Sequence, residues 1–512
     1  MDVQIAFTWM ILIPMLSAPV IYIVGRLVAR QETEKMVVNP ARWLALASLL
    51  ATSVMLYFTA TGMFAQQQFI YQEIGGSVEA SIAGVYLQFD GVSFLLATLV
   101  LVLGTMVTIF SFTYMHGEEG EEKFYALLVA MIGSIIGLGC AMDLFNLWVW
   151  FEVMAVTSIL LVAFYRTQQG SLEAGVKYLV QSAVGSVLVV IGIALIYMVA
   201  GDLNLIRLLS SVQLHPVILI GMALLIIGFG VKIALVPLHT WLPDAHSQAP
   251  SGISAMLSGV VIEAGLIALL RVTGSLAVIG PKVGYILLGF AVLNMVVGNL
   301  MALRQTEVKR MLAYSSLSHI GYMLLGFGAL FAFQSVAGGI GAAYHMLAHG
   351  LMKGLAFLAA GAFLFNLKIS KGNHEPLRME DLNGASKKYP LTAFAFSVAL
   401  LSLGGLPPLV GFMSKWQVFV AGVYTQNIWM IVLVVFAGLN SVLSLAYYAP
   451  LVNRMYRKQS ADLVIAGQPV SLWTYLPIML LTLMVVVLGI APSLISSLTD
   501  VAGFSLAIFL QN

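Results

Sequence analysis

Charge is what this sequence has least of. Of its 512 residues only 9% are Asp, Glu, Lys or Arg and 60% are hydrophobic, where an ordinary soluble domain is about one quarter charged. With a mean hydropathy of +0.98, the composition specifies a polytopic membrane protein. Cysteine is nearly absent. The single Cys140 excludes a disulfide framework, and no Cys or His spacing suits an iron–sulfur cluster or structural zinc. There is no GxxxxGKS/T phosphate loop, and no GxGxxG set between a strand and a helix, so neither ATP nor a nicotinamide is expected here. Redox cofactors, if the function needs any, are expected on partner subunits. The first apolar stretch follows Asp2 rather than a basic segment and has no small-residue cleavage site, which predicts a retained helix, not a signal peptide. The net charge of +2 points to no nucleic-acid partner.

What the sequence has is long apolar runs. Runs of about 20 residues suffice to cross a bilayer, and fourteen are found, over 6–28, 43–64, 92–114, 124–142, 144–165, 175–200, 215–239, 251–271, 279–303, 316–333, 339–366, 391–420, 427–453 and 474–497. Most connections are short. Two are longer: 65–91, whose alternation GGSVEASIAGVYLQFDG predicts an extramembrane hairpin, and the polar, basic stretch 368–389. No separate soluble domain fits. The expected fold is therefore all-α, with about 14 transmembrane helices. Its units are an N-terminal set with the hairpin (1–120), a first repeat (121–272), a second repeat (273–456), and a last helix with its tail (457–512).

Cations set the orientation. Of the 24 lysines and arginines, only Arg207, Arg271 and Lys282 lie by loops that come after even-numbered spans. Most of the others, among them Arg30, Lys35, Lys309, Arg310 and Lys387, lie by odd-numbered loops. Positive residues favour the cytoplasmic side. The expected location is thus the inner (cytoplasmic) membrane, with both termini outside.

Four lysines, Lys177, Lys232, Lys353 and Lys415, are enclosed by apolar sequence, as are Glu152 and Glu263. A charge at the centre of a membrane helix costs about 2.5–3.5 kcal/mol on insertion scales, so each needs a partner or water. Lys177, near a span end, either joins the set or simply snorkels to the surface. Two spans are also broken. One reads GFGVKIALVPLHTWLPDAH, with Lys232 five residues before Pro237; the other reads GGLPPLVGFMSKWQV, with Lys415 seven residues after Pro408. Proline frees carbonyls that hydrocarbon cannot satisfy, so such breaks survive only inside protein or beside water. They occupy matching places in two consecutive five-helix sets. Paired interruptions of this kind point to an ion site at the interface of inverted repeats.

Histidines extend the set. In AAYHMLAHGLMKGLAF, His345, His349 and Lys353 are spaced four apart and share one helical face. Histidine titrates near neutrality, so this row suits a proton relay. A metal site is the other reading, but H-x-x-x-H here lacks the Glu of H-E-x-x-H and a third ligand. His239 and His319 are either relay members or hydrogen-bonded structure.

The stretches DLFNLWVWFEVM, GVKIALVPLHTWLPDAHSQAPSGISAMLSG, VKRMLAYSSLSHIGYMLLG, HMLAHGLMKGLAFLAAG and GLPPLVGFMSKW resemble the antiporter-like subunits of respiratory complex I, Mrp-type sodium/proton antiporters and membrane-bound hydrogenases. The resemblance covers residues 90–460 and lies nearer the Mrp D-type and complex I M- or N-type subunits than the longer L-type. It implies a Glu152–Lys232 pair. It also implies a relay through His239, His319 and His345 or His349 to a terminal Lys415, with Lys353 as the basic residue of span eleven. Glu263 departs from the pattern, since many relatives have lysine there. The link between the half-paths then works differently, or Glu263 binds a cation. The resemblance implies a proton-translocating subunit of a multisubunit redox complex, with similar antiporter-like subunits and a peripheral redox arm as partners. The alternatives are a Mrp-type Na⁺/H⁺ antiporter subunit without redox partner and a structural membrane scaffold.

Overall fold

A computed structural model describes residues 2–31, 39–74, 84–276 and 279–508. Lys35, used above for orientation, and the tip of the expected hairpin lie outside them. Hydrocarbon offers backbone groups no partner, so apolar runs must satisfy their own hydrogen bonds as helices. They do so here. The helices α1 (Val3–Gln31) and α2 (Ala41–Gln66) precede an antiparallel hairpin of β1 (Ile70–Ile74) and β2 (Val85–Phe89), paired from Ile70↔Phe89 to Ile74↔Val85. Then come α3 (Gly91–Tyr114), α4 (Glu121–Cys140), α5 (Leu144–Val162), α6 (Gln169–Ala200) and the short α7 (Leu205–Ser211). The first broken span is α8 (Pro216–Ile233) plus α9 (Trp241–Gln248). Next, α10 (Ser251–Met256), a π-helical turn (Leu257–Val261) and α11 (Ile262–Ser275) form one rod. The second half holds α12 (Gly280–Ala302), α13 (Val308–Phe333), α14 (Val336–Leu367), the broken pair α15 (Pro390–Gly404) and α16 (Val410–Tyr424), and α17 (Ile428–Met455). The chain ends with α18 (Asp462–Ala466), α19 (Leu472–Ile490) and α20 (Ser496–Ala507).

Among the described residues, 13 helices are long and apolar enough to cross a membrane. The broken pair α15/α16 supplies the fourteenth expected span. Two details differ from the expectation. First, α13 begins at Val308, eight residues before the apolar run, because the 368–389 connection folds back onto its start: Val308 N donates to Leu377 O and Met379 N to Thr306 O (both 2.9 Å). Lys309 is consequently buried on a helix rather than exposed in a loop. Second, the residues after the last span form α20, which packs on α3 and α14, with Gly91 N donating to Ser505 Oγ at 3.0 Å.

The core is the α10–α11 rod together with α13 and α14. Every residue from Ser251 to Leu276 is buried, and α14 is buried nearly throughout. At the edge, α6 turns Val176, Val180, Val184 and Val187 outward, an apolar face suited to lipid or a neighbouring membrane subunit.

One buried ion pair ties the rod to its neighbours. Arg271 Nη2 donates to Asp90 Oδ1 (2.9 Å), Ser93 Oγ (3.0 Å) and Gly139 O (2.6 Å), joining α11 to α3 and α4. Asp90 also caps α3 by accepting from Ser93 N. Arg271 is thus not the loop residue that the apolar run suggests, since α11 continues to Ser275 and encloses it. Removing one member of a buried pair strands the other. Asp90→Ala is expected to cost about 3–5 kcal/mol, and Asp90→Leu combined with Arg271→Met much less, measured as thermal unfolding in mild detergent.

Candidate functional site

The two breaks share a construction. After α8, Ala234 takes a left-handed conformation (φ 59°); after α15, Gly405 does the same (φ 84°). Each is followed by a cis X–Pro bond, Val236–Pro237 and Pro407–Pro408. A helix end leaves four carbonyls without intrahelical donors. At α15 all four are met: Leu401 O by Leu406 N, Ser402 O by Gly405 N, Leu403 O by Lys415 Nζ (2.8 Å), and Gly404 O by Ser441 Oγ (3.2 Å). At α8, Trp241 Nε1 donates to Val231 O (2.7 Å), and Asn294 bridges the gap, accepting from Val236 N and donating to Ala234 O. Both breaks also set a buried lysine at the carbonyl end of a half-helix, where the helix dipole favours a cation.

Lys232 does not touch Glu152. Its Nζ donates to Ser158 Oγ (3.1 Å) and to the Tyr178 hydroxyl, while Glu152 Oε1 is enclosed without a hydrogen-bond partner. Both acceptors are neutral. Glu152 and Ser158 lie six residues apart on α5, about 9 Å along the axis. The ion pair implied by the family resemblance is thus not formed: the amine is held by the two hydroxyls and not by the carboxylate.

Beyond Lys232 the rod α10–α11 passes close by, since a Cβ built on Gly265 would lie 3.3 Å from Lys232 Cγ. Two residues before it stands Glu263, fully buried, whose Oε1 is 2.7 Å from His349 Nδ1. The π-helical turn just upstream adds one residue to the helix, which rotates the rest of the rod by about 100°. Such turns concentrate at functional sites. Close approach of α14 depends on two glycines, because a Cβ on Gly350 would lie 2.8 Å from Gly259 O.

From Glu263 the row continues. The rings of His349 and His319 stack with centroids 5.0 Å apart, His319 Nδ1 is 3.2 Å from His345 Nε2, and His345 Nδ1 is 2.9 Å from Ser414 Oγ. Ser414 adjoins Lys415, whose Nζ also donates to Ser441 Oγ (2.8 Å) and lies 4.9 Å from the Tyr322 ring centroid. A hydroxyl has one proton to give. With that proton on Gly411 O (3.0 Å), His345 Nδ1–H donates to Ser414 and His345 Nε2 accepts from His319 Nδ1–H. From His319 onward the hydrogen bonds therefore run in one direction, towards Ser414.

Other candidates lie off this row. Lys353 is buried and donates to Leu312 O (2.6 Å) and to Ser315 Oγ. Lys177 is half-exposed and pairs with Glu173 (2.8 Å) and Asp244 (3.0 Å), the surface position of a snorkelling lysine. His239 is half-buried beside Tyr314, its Nδ1 unpartnered. Sequence reasoning missed Ser158, Tyr178, Ser414 and Ser441, for which spacing carries no signal. It also missed His246, fully buried against Phe357, and Lys309, which donates to Ala249 O.

Comparison with known proteins decides the family. Residues 141–444 match the family described as "NADH:quinone oxidoreductase/Mrp antiporter, TM". The chain belongs to this family. Residues 79–125 match "NADH-Ubiquinone oxidoreductase (complex I), chain 5 N-terminus". F(420)H(2) dehydrogenase subunit N of Methanosarcina mazei is 34% identical over 388 residues, covering 75% of this chain and 77% of the relative. NADH-quinone oxidoreductase subunit N of Desulfitobacterium hafniense is 32% identical over 460 residues, covering 85% and 89%. Among solved structures, a chain of an archaeal membrane-bound sulfane sulfur reductase superposes with a TM-score of 0.86 at 26% identity over 98% of both chains. A chain of the Mrp complex from Dietzia shares the fold at a TM-score of 0.84 and 22% identity, over 99% and 98%. The chain is thus an antiporter-like, multi-pass membrane subunit, and the solved relatives are chains of multisubunit membrane complexes.

In this antiporter-like subunit, Glu263 keeps its partner from being stranded. Glu263→Leu leaves His349 Nδ1 buried without an acceptor and is expected to cost about 1–3 kcal/mol. Glu263→Gln keeps an acceptor and is expected to cost less, with thermal unfolding of the purified chain separating the two.

Proposed function

We propose that this subunit moves protons across the inner (cytoplasmic) membrane as part of a multisubunit complex driven by a redox partner. Glu152, Lys232, Glu263, His349, His319, His345 and Lys415 would carry them. The observation that supports the reading most is the polar row from Glu263 to Lys415, closed off from lipid, with its hydrogen bonds ordered from His319 to Ser414. Both termini would lie outside, and a peripheral redox arm would hold the flavin, iron–sulfur or nickel–iron centres that this chain is not expected to bind. Other antiporter-like subunits would flank it.

The energy scale fits. Burial disfavours a charged amine and a nearby carboxylate favours it, so approach and withdrawal of a carboxylate changes an amine's proton affinity by about one to three pKa units. At 1.36 kcal/mol per unit, two units are about 2.7 kcal/mol. Moving one charge against 100 mV takes about 2.3 kcal/mol. One switched ion pair is therefore adequate for one proton, provided that the partner works the switch.

Two other readings are weaker. The likeness to a Mrp chain is at 22% identity and speaks for fold alone, while the Glu263 oxygen engaged by His349 favours proton handling over cation binding. A pure scaffold gives no reason for His349, His319 and His345 to stand in a contiguous row between Glu263 and Ser414.

In inverted membrane vesicles holding the whole complex, Lys232→Ala and Lys415→Ala are each expected to lower proton uptake about tenfold or more, a barrier rise of about 1.4 kcal/mol, with electron transfer retained. Unchanged uptake would overturn the relay. Sodium-dependent exchange without any electron donor would place the chain in a Mrp-type antiporter instead.

A further inference from the structure

Lys232 rests on neutral groups, and those groups are built to hold it. The Tyr178 hydroxyl lies 2.9 Å from Ser158 Oγ, and Ser158 in turn donates to Ala155 O (2.9 Å). The proton order comes from the inventory of donors. Ser158 gives its one proton to Ala155 O, so Tyr178 donates to Ser158 Oγ, and both hydroxyl oxygens remain open to accept from the ammonium. Tyr178, Ser158 and Lys232 are all buried. The tyrosine cannot swing freely, because its ring stacks on Trp241 at 4.0 Å and 4°, and Trp241 Nε1 is bound to Val231 O, in the residue next to Lys232. Trp241 begins α9, the second half of the broken span, whereas Lys232 ends the first. A single aromatic pair thus connects the two halves through the group that holds the amine.

We propose that Tyr178 and Ser158 form a second seat for the Lys232 amine, alternative to Glu152, and that Trp241 couples this seat to the geometry of the helix break. This rests on the relay reading above and adds to it. The amine then has two places: beside a carboxylate, where it is held charged, and on two neutral hydroxyls, where no counter-charge holds the proton. Movement of α9 relative to α8 carries Trp241, tilts Tyr178 and withdraws the second seat. Tyr178, Ser158 and Trp241 are positioning residues, acting through Lys232.

The test uses the whole complex with three readouts: structure by electron cryo-microscopy, proton uptake, and electron transfer. In Ser158→Ala with Tyr178→Phe the amine is expected to turn to Glu152 at ion-pair distance. Uptake should fall about tenfold, the ratio that corresponds to about 1.4 kcal/mol, with electron transfer retained. Ser158→Thr, which keeps the hydroxyl, is expected to restore uptake when Tyr178 is intact. Trp241→Phe keeps a stacking ring but loses the indole N–H, and is expected to lower uptake while leaving Lys232 on Tyr178. The seat is overturned if Lys232 stays beside residues 158 and 178 in the double variant, or if uptake there equals that of the unaltered complex. Failure of the relay itself reads differently: Lys232→Ala would then pump normally, whatever the seat variants do.

Discussion

A helix that stops inside hydrocarbon must find donors for its last carbonyls, and most of the polar architecture here stems from that requirement. An unsatisfied carbonyl at membrane depth costs several kcal/mol. At α15 the four terminal carbonyls are met by two backbone amides, one serine and Lys415. The lysine beside the second break is therefore structural before it is anything else. It also follows directly in the chain the serine that ends the histidine row. At α8 the backbone amides of Leu235 and Ala234 meet Gly230 O and Val231 O, Trp241 Nε1 adds to Val231 O, and Lys232 gives its amine to the Ser158 and Tyr178 hydroxyls rather than to a terminal carbonyl. One construction thus seats two buried lysines differently, one on a terminal carbonyl and one on side-chain hydroxyls.

Where the amine sits matters because hydroxyls and carboxylates hold it differently. A hydroxyl oxygen accepts from an ammonium without neutralising it, whereas a carboxylate both accepts and neutralises. The arrangement Lys232–Ser158–Tyr178 with Glu152 apart is one member of such a pair of states. The connection from Tyr178 through Trp241 to α9 gives the break a mechanical role beyond hydrogen-bond accounting. In the central row, by contrast, contacts are tight and directional: Glu263, His349, His319, His345 and Ser414 are all at or near zero exposure, and reversing the order between Ser414 and His319 takes a tautomer change at both histidines as well as rotation of the Ser414 hydroxyl.

Much of this was legible in the sequence, for reasons that differ by residue. The fourteen spans were readable because each must be apolar over its whole length. The breaks at Pro237 and Pro408 were readable because proline removes a donor wherever it stands. The face shared by His345, His349 and Lys353 came from a spacing of four. Arg271 and Lys309 were misplaced because the helices continue past the apolar runs, and a cation just beyond such a run looks the same in sequence whether it reaches water or a neighbouring helix. Tyr178, Ser158 and Ser414 were invisible for another reason. Serine and tyrosine are ordinary in membrane helices, and only the lysine or histidine across the interface sets them apart.

Glu263 shows how a single local irregularity decides the connection between the two halves. The residue lies on α11, and without the π-helical turn over Leu257–Val261 its carboxylate would face about 100° away. With the turn, it meets His349 across an interface brought close by Gly259 and Gly350. A lysine at this place can only donate, so His349 Nδ1 would become the acceptor and the bond would run the opposite way. The carboxylate instead accepts from His349 Nδ1–H and keeps its second oxygen unpartnered, open to a further proton. In the proposed relay the half-paths are therefore joined here by an acceptor rather than a donor. Hydrogen bonds extend from the stacked rings of His349 and His319 on both sides, one way to Glu263 and the other through His345 to Ser414, so in the proposed relay the stacked pair is the step that no hydrogen bond spans.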